Sequence, residues 1–258
     1  MMYESIKYEV NNTVCVITLN RPEALNAFTS TMNKEITKAI KTAEGSDEVR
    51  CIVIKGAGKG FCSGQDLSEV DNSMDHGEVL RSLYGPMVKK IRECEKPIVA
   101  AVHGAAAGAG FSLALACDFR IMAEKSFFMN AFIQVGLIPD SGNLYYLRRL
   151  VGDAKALEIS LFGERILSHD ALKLGIATKV VPNESFEEEV LNYATKLAAL
   201  PTKAVALTKR ALRAAGDLEL SDFLEYEAQG QRIAGLTADH QEGIKAFMEK
   251  RKPVFIGN

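Results

Sequence analysis

The sequence lacks any strong excess of one charge sign, and this limits the partners that its charge could attract. Its 258 residues contain 31 Lys and Arg against 33 Asp and Glu, which gives a formal net charge of -2. Proteins that bind nucleic acid or an acidic membrane surface through charge show a basic excess. We therefore expect neither nucleic acid nor a membrane among its partners.

Cysteine is scarce and scattered, and tryptophan is absent altogether. No Cys-x-x-Cys pair and no cluster of His and Cys occurs, so the spacing indicates neither a metal site nor a disulfide framework. We expect buried, reduced thiols, as in a cytoplasmic protein. The five cysteines are Cys15, Cys51, Cys62, Cys94 and Cys117.

A leader sequence is not evident either, because Met1 to Glu9 lacks a basic region followed by an apolar one. The only stretch without Asp, Glu, Lys or Arg that reaches the length of a membrane-spanning helix runs from Pro97 through Cys117. Its first part, Ile98 to Val102, is rich in strand-forming residues, and Gly104 then interrupts it. The pattern therefore favours a buried strand, a turn and a buried helix.

In the first half of the chain, short apolar segments alternate with helical patterns. This alternation predicts an α/β fold with parallel strand pairing and crossover helices. The predicted strands are Thr13 to Leu19, Cys51 to Ile54, Ile98 to Val102 and Phe119 to Ala123. The predicted helices are Ser30 to Ala43, Glu78 to Glu93 and Ala109 to Ala116.

After Asp140 the pattern becomes helical, with Ala177 to Val181 as the only predicted strand. We therefore divide the chain into a core domain, 1–200, and a helical C-terminal region, 201–258. The apolar faces of these helices need a partner surface, either the core or a neighbouring subunit. The predicted helices are Asp153 to Phe162, His169 to Leu174, Phe186 to Leu200, Thr202 to Ala215, Leu218 to Ala234 and Ala238 to Lys250.

Two stretches consist largely of small residues, Gly60 to Leu67 and Gly104 to Gly110, and each follows a predicted strand. Glycine and alanine allow a ligand atom to approach the backbone closely. Two backbone N–H groups aimed at one oxygen form an oxyanion hole, worth roughly 3–4 kcal/mol per donor. Each stretch alone is also compatible with a tight turn and a closely packed helix.

Five motifs in this order resemble the crotonase superfamily, the enoyl-CoA hydratases and isomerases. They are Asn20 to Ala27, Gly60 to Leu67, Gly104 to Asp118, Gly136 to Gly142 and Phe247 to Pro253. The resemblance implies a crotonase-like spiral of stacked ββα turns. It also implies a helical C-terminal region that builds a homotrimer or a homohexamer.

The resemblance further implies an acyl-CoA thioester substrate and no separate cofactor, because coenzyme A is part of the substrate. By motif position, the backbone N–H groups of Ser63 and Ala109 are the oxyanion donors. The other positions that match the family's substrate-binding residues are Ala24, Leu25, Ala27, Gly64, Gln65, Asp66, Leu67, Phe247 and Lys250. Two of them have an alternative interpretation: Asp66 could equally form a turn or cap a helix, and Lys250 could be a solvated cation.

The chain departs from the hydratase pattern at its two catalytic positions. Hydratases of the superfamily carry two glutamates there, whereas this chain has Ser112 and Phe132. A hydroxyl group is a poor general base, and a phenyl ring cannot serve as one. The resemblance instead points to Asp140, because isomerases of the phenylacetate-pathway type carry a proton-shuttling Asp at this position. A helix-capping Asp is the alternative interpretation.

A single carboxylate suffices to move a double bond, because it can remove a proton at one carbon and return it at another. Apolar neighbours of Asp140 would raise its pKa, and a helix N-terminus would lower it.

From the sequence, His76 is expected to be a surface residue. The segment from Met74 to Met87 is expected to select the acyl group.

Three functions remain open from the sequence: an acyl-CoA double-bond isomerase, an enoyl-CoA hydratase, and an acyl-CoA-binding subunit without catalysis. Related dehalogenases use an Asp near position 140 as a nucleophile, but they also depend on a pocket tryptophan. This chain has no tryptophan, which argues against that chemistry. We expect the isomerase.

Overall fold

A computed structural model of the chain describes residues 3–69 and 73–258. The strands form a six-stranded sheet and a smaller three-stranded sheet. They are β1 (Ile6–Asn11), β2 (Val14–Leu19), β3 (Cys51–Gly56), β4 (Ile98–Val102), β5 (Ala105–Ala107), β6 (Phe119–Ala123), β7 (Phe127–Met129), β8 (Arg165–Leu167) and β9 (Lys179–Val181).

The large sheet has the order β1-β2-β3-β4-β6-β9. Only β1 runs antiparallel, because the turn at Asn12 joins it directly to β2 in a hairpin. The other neighbouring pairs are parallel, in register at Val53 with Val99 for example. The predicted parallel pairing is therefore confirmed, whereas the prediction missed β1.

The helices lie on both sides of the large sheet and continue to the C-terminal end. The first long helix begins after Thr29, whose hydroxyl accepts a hydrogen bond from the Met32 N–H at 3.2 Å. The helices are α1 (Ser30–Glu44), α2 (His76–Val79), α3 (Gly85–Glu93), α4 (Ala109–Ala116), α5 (Asn143–Phe162), α6 (Ser168–Lys173), α7 (Phe186–Ala198), α8 (Thr202–Ala214), α9 (Leu220–Gly235) and α10 (Ala238–Met248).

Strand β3 shows how the alternation of side chains divides the core. Ile52 and Ile54 point to the face that also buries Met32 and Ile36 of α1. Cys51 and Val53 point to the opposite face, which α7 covers. Because both faces are covered, the strand is apolar throughout and could be predicted from its composition.

The predicted helix Glu78 to Glu93 is interrupted. A π-helical turn, Leu80–Tyr84, separates α2 from α3, and the Gly85 N–H donates to the Leu80 carbonyl. Pro86 explains the interruption, because a proline inside a helix has no N–H to donate and its ring collides with the carbonyl one turn earlier. A wider turn relieves that collision and directs Tyr84 inward.

The prediction of a single strand after Asp140 was wrong, since β8 also lies there. Its three residues pair antiparallel with β7, which pairs parallel with β5. Strands this short carry too few residues to show alternation. The predicted helix Asp153 to Phe162 is the second part of α5, which bends at Gly152 (φ 76°).

The C-terminal region is helical as expected, and Arg50 ties it to the core. The Arg50 guanidinium donates to the Leu200 and Phe255 carbonyl oxygens at 2.6 Å each, and to the Thr202 hydroxyl at 3.0 Å. A division after residue 200 stays a prediction. In the ranges that the structure describes, no helix is long and apolar enough to cross a membrane.

Candidate active site

The two small-residue stretches lie side by side. Residue Cys62 pairs with Ala106 of β5 as in a parallel sheet, through the Ala107 N–H to the Cys62 carbonyl oxygen (2.9 Å). The Cys62 N–H donates in turn to the Ala105 carbonyl oxygen at 3.1 Å. This pairing places Ser63 beside the segment that leads into α4.

The close approach of the two stretches requires glycine. A Cβ atom on Gly110 would lie 2.3 Å from the Cys62 carbonyl oxygen, a distance that no real contact allows. A Cβ atom on Gly64, where φ is +103°, would lie 3.0 Å from the Ala107 carbonyl oxygen and 3.5 Å from the Ala109 nitrogen. The glycines therefore bring the two backbones together and leave the Ala109 amide accessible.

The Ala109 N–H is the first amide of α4, and Gly108 before it provides no side-chain cap. Throughout the described part of the chain, the Ala109 N–H has no hydrogen-bond acceptor. Unpaired N–H groups at a helix N-terminus carry partial positive charge and attract anions. This amide can therefore donate to an oxygen that gains negative charge.

The Ser63 N–H, unlike that of Ala109, already has an acceptor within the protein. It donates to the Leu25 carbonyl oxygen at 3.1 Å, and the Ser63 hydroxyl donates weakly to the Ala24 carbonyl oxygen at 3.4 Å. Hydrogen bonds to charged oxygens are roughly twice as strong as those to neutral ones. An oxyanion can therefore compete for this amide, and its role as donor stays a prediction.

The Asn20 to Ala27 motif supports this loop from below. Leu25 and Asn26 both have positive φ (49° and 57°), a strained pair held by the buried Asn26 side chain. The Asn26 amide donates to the Ala57 and Gly60 carbonyl oxygens at 2.8 Å each, and its oxygen accepts from the Arg21 N–H at 2.9 Å. The first motif is thus a structural support for the second.

A cavity of about 390 Å³ opens beside the two amides. Most of its lining is apolar, and the segment from Met74 to Met87 contributes a large share, so that segment is placed to affect acyl selection. The lining residues are Ser63, Gly64, Gln65, Leu67, Met74, His76, Val79, Leu80, Tyr84, Gly108, Ala109, Ala131, Phe132, Val135, Leu137, Ile138 and Asp140.

Asp140 is half-buried at this cavity and is the one carboxylate among its lining residues. Burial raises the pKa of Asp140, while a hydrogen bond from the Ser141 hydroxyl (2.8 Å) and the charge of His76 oppose the rise. Desolvation therefore prevails over the opposing effects. The Asp140 side chain does not cap α5, whose N-terminus has no side-chain cap; the Asp140 carbonyl oxygen instead accepts from the Asn143 N–H at 2.9 Å.

Ser112 holds Asp140 from behind. The buried Ser112 hydroxyl donates to the Asp140 carbonyl oxygen at 3.0 Å and accepts from the Asn143 side-chain amide at 3.2 Å. The Asn143 side-chain oxygen accepts in turn from the Asn130 amide at 3.1 Å, and Asn130 also donates to the Ser160 hydroxyl at 3.0 Å. A buried polar chain thus anchors the backbone of the candidate base.

Two cavity residues within the Met74 to Met87 segment had no individual role in the prediction. His76 is exposed, as expected of a surface residue, but it also lines the cavity, and its charge lowers the pKa of the Asp140 carboxyl. Tyr84 is 3% exposed and reaches the cavity from the π-helical turn. The sequence signal that was available for Tyr84 is Pro86, two residues later.

The predicted substrate-binding positions divide into three groups. Gly64, Gln65 and Leu67 line the cavity with Ser63 and Ala109. Outside the cavity lining lie Ala24, Leu25, Ala27 and Asp66. The Asp66 carboxylate pairs with Arg21 at 2.9 Å and accepts from the Ser68 hydroxyl at 2.7 Å, so it forms a turn.

The third group is the pair from the tail, Phe247 and Lys250, which the chain does not bring to its own cavity. All residues that line the cavity precede Ser141. Phe247 is 85% exposed at the end of α10. A contribution of these two residues to the site of a neighbouring subunit stays a prediction.

The thiol next to the site is not a nucleophile. Cys62 is fully buried, and burial raises its pKa to about 12, so the thiol stays protonated at neutral pH. All five cysteines are free and buried. Over residues 3–69 and 73–258, no group of three His, Cys, Asp or Glu side chains is arranged to hold a metal ion.

Comparisons with known proteins identify the class to which the fold belongs. Residues 9–258 match the family described as enoyl-CoA hydratase/isomerase. The chain therefore belongs to the enoyl-CoA hydratase/isomerase family, in the crotonase superfamily, and is an enzyme of that family. An acyl-CoA thioester is the substrate class consistent with this membership.

Relatives with different names share nearly the whole chain. A protein of Rhodobacter capsulatus named "Probable enoyl-CoA hydratase" is 43% identical over 258 residues, which is 100% of both chains. The 1,2-epoxyphenylacetyl-CoA isomerase of Escherichia coli is 39% identical over 99% of this chain and 100% of its own. The names cover both hydratase and isomerase.

Solved structures agree with the fold. An enoyl-CoA hydratase from a Polaromonas species has a TM-score of 0.91 at 35% identity, and covers 97% of this chain and 99% of its own. An enoyl-CoA hydratase from Bacillus anthracis has a TM-score of 0.92 at 31% identity, with 99% and 100% coverage. The expected crotonase-like α/β fold is therefore confirmed.

Proposed function

We propose that this enzyme is an acyl-CoA enoyl isomerase in which Asp140 moves one proton between two carbons of the acyl chain. The observation that carries the proposal is that Asp140 is the one carboxylate among the cavity-lining residues. Of the two positions where hydratases carry glutamate, Phe132 lines the cavity without a titratable group, and Ser112 is bonded to the Asp140 backbone.

In the proposed reaction, the ionised Asp140 removes a proton from C2 or C4 of the enoyl thioester. The electrons of the broken C–H bond pass into the conjugated system, and the thioester oxygen becomes an enolate oxygen. The Ala109 N–H, together with the Ser63 N–H, donates to that oxygen. Asp140 then returns the same proton to the other carbon, so the double bond moves and no atom is gained or lost.

The environment of Asp140 suits this role. A general base works best when its pKa lies near the working pH, and burial raises the pKa of Asp140 in that direction. An acyl chain bound against the apolar cavity walls would displace water from them, which limits loss of the proton to solvent. The anchored Asp140 carbonyl restricts the position of the carboxylate relative to the two amides.

The test is the rate of isomerisation of a 3-enoyl-CoA by wild type and by Asp140→Asn. We expect kcat to fall by at least about a hundredfold in the variant, within the usual range for a general base. Ser141→Ala is a matched control, because it removes the hydroxyl bonded to the carboxylate but keeps the base. Full activity of Asp140→Asn would remove Asp140 from the mechanism.

An enoyl-CoA hydratase is the second candidate, because the 43% identical relative carries that name. Hydration of crotonyl-CoA, measured beside isomerisation, distinguishes the two functions. Faster hydration than isomerisation would favour the hydratase. Tight binding of acyl-CoA without either reaction would favour an acyl-CoA-binding subunit, the third function considered.

We also propose that the chain assembles into a trimer or a hexamer through its C-terminal helices. Within the described residues of α9, no side chain is buried, and even large apolar side chains face outward: Leu220 is 71% exposed and Leu224 is 55% exposed. Apolar surface of this kind marks an interface. Analytical ultracentrifugation should give three or six chains for wild type and fewer for Leu224→Glu, whereas a monomeric wild type would contradict the proposal.

A further inference from the structure

Tyr84 is fixed at the wall of the cavity in a single orientation. Its ring is buried and meets the edge of Phe28 at 5.5 Å between ring centroids, and the π-helical turn before Pro86 fixes its backbone. Burial raises the pKa of Tyr84, and a hydrogen bond with Asn33 opposes the rise only in part. The hydroxyl therefore stays protonated, and it donates to the Gln65 side-chain oxygen.

Gln65 is held at its backbone as well as at its side chain. It pairs with Phe28 as in a parallel sheet, through the Phe28 N–H to the Gly64 carbonyl oxygen (2.7 Å) and the Asp66 N–H to the Phe28 carbonyl oxygen (3.0 Å). The hydrogen bond from the Tyr84 hydroxyl holds the Gln65 side-chain amide with its oxygen toward Tyr84. The NH2 group is the part that remains for a ligand.

The Gln65 NH2 group is poorly satisfied by the protein itself. One hydrogen makes a long contact of 3.4 Å to the Asp66 carbonyl oxygen, and the other has no acceptor among the described residues. The cavity that Gln65 lines is mostly apolar, and Leu67, Val79 and Leu80 are among its other lining residues. Gln65 is partly exposed at the cavity, so this hydrogen is available to an acceptor on a bound ligand.

We propose that Gln65 is a specificity residue that donates a hydrogen bond to an oxygen atom on the acyl chain. The favoured substrates are then acyl-CoA thioesters whose acyl group carries a carbonyl, ether or hydroxyl oxygen, rather than plain hydrocarbon chains. Tyr84 is the positioning residue that keeps the amide in its donor orientation. This inference rests on the acyl-thioester site of the proposed function, but not on the proton transfer by Asp140.

Binding of saturated thioesters tests the inference without catalysis. Calorimetry measures the dissociation constant of hexanoyl-CoA. It also measures those of hexanoyl-CoA derivatives whose acyl chain carries a keto or hydroxyl group at C4, C5 or C6. For wild type, we expect at least one keto ester to bind about 3- to 10-fold more tightly than hexanoyl-CoA, the value of one hydrogen bond. Equal binding of hexanoyl-CoA and all oxygen-bearing esters would overturn the inference.

Three variants identify the group responsible. Gln65→Leu should abolish the preference for oxygen, and Gln65→Glu should turn the preference from keto to hydroxyl esters, because a carboxylate only accepts. Tyr84→Phe should reduce the keto preference, since the amide is then free to rotate. Circular dichroism should first show that Gln65→Leu is folded. If the folded variant still prefers oxygen-bearing esters as wild type does, the assignment of Gln65 is refuted.

The outcome is separable from that of the proposed function. Asp140→Asn should lose isomerisation but keep the preference for oxygen-bearing esters. Binding without that preference would refute the role of Gln65 alone and leave the isomerase intact. Failure of every thioester to bind would refute both.

Discussion

Replacement of Ser112 by alanine should slow catalysis through a residue that does not line the cavity. The Ser112 hydroxyl provides one of the two hydrogen bonds to the Asp140 carbonyl oxygen, the other coming from the Asn143 N–H. Its loss also leaves the Asn143 side-chain amide without the hydroxyl that accepts from it at 3.2 Å. The variant therefore changes both the stability of the protein and the position of the base.

The expected magnitudes follow from these bonds. An unsatisfied buried donor costs about 1–3 kcal/mol in the free energy of unfolding. For a chain of this size, Tm should fall by about 2–4 °C for each kcal/mol. If about 1 kcal/mol of the lost anchoring is felt in the transition state, kcat falls about fivefold. The KM for the thioester should change little, because Ser112 does not line the cavity.

Ser160→Ala is the matched control, because it cuts the same buried chain at its far end. The Ser160 hydroxyl accepts from the Asn130 amide at 3.0 Å and donates to the Ala156 carbonyl oxygen at 2.7 Å. Urea denaturation should show a similar loss of stability for both variants, while isomerase assays show a lower kcat only for Ser112→Ala. A wild-type kcat in Ser112→Ala, or an equal fall in both variants, would refute the reasoning.

Three further predictions concern pH and packing. Because burial raises the pKa of Asp140, the stabilising effect of its proton is complete below the ordinary value of about 3.9 and is lost as the pH rises through the raised value. Urea denaturation should therefore find Asp140→Asn more stable than wild type at pH 7, with the difference shrinking as the pH falls from the raised pKa toward about 3.9 and staying constant below it; a difference that grows toward acid would contradict this. The charge of His76 lowers the pKa of Asp140, so His76→Gln should move the acidic limb of the kcat/KM profile to higher pH, and an unmoved limb would exclude that coupling. Gly110→Ala, whose Cβ would lie 2.3 Å from the Cys62 carbonyl oxygen, should lose more than about 4 kcal/mol in urea denaturation. Gly175→Ala, with φ at +72° and nothing within 4 Å, should lose only about 1–2 kcal/mol, and similar losses in both would be evidence against the collision.

The strands that could be predicted from the sequence are those buried on both faces. Cys51 to Ile54 and Ile98 to Val102 are continuous apolar segments because helices cover both sides of the sheet. The second sheet escaped prediction for the opposite reason, since β5 consists of three alanines and β8 of three residues. Such short segments become strands through their neighbours, not through their own pattern.

The candidate site could be predicted where backbone geometry demands a particular residue, and not where distant side chains meet. The glycines at 64 and 110 are required by local contacts, so the motifs that contain them were visible in the sequence. The engagement of the Ser63 amide by Leu25 depends on how two segments 38 positions apart pack. The contribution of His76 likewise depends on where a short helix lies relative to Asp140.

The three hydrogen bonds of Arg50 have a consequence for the order in which the molecule is assembled. Their acceptors lie 150, 152 and 205 positions further along the chain. Contacts between such distant positions form late, because closing a long loop is entropically costly until the intervening chain is already structured. The C-terminal segment should therefore dock last, after the large sheet exists, and a nascent chain would expose the surface around Arg50 until synthesis is nearly complete.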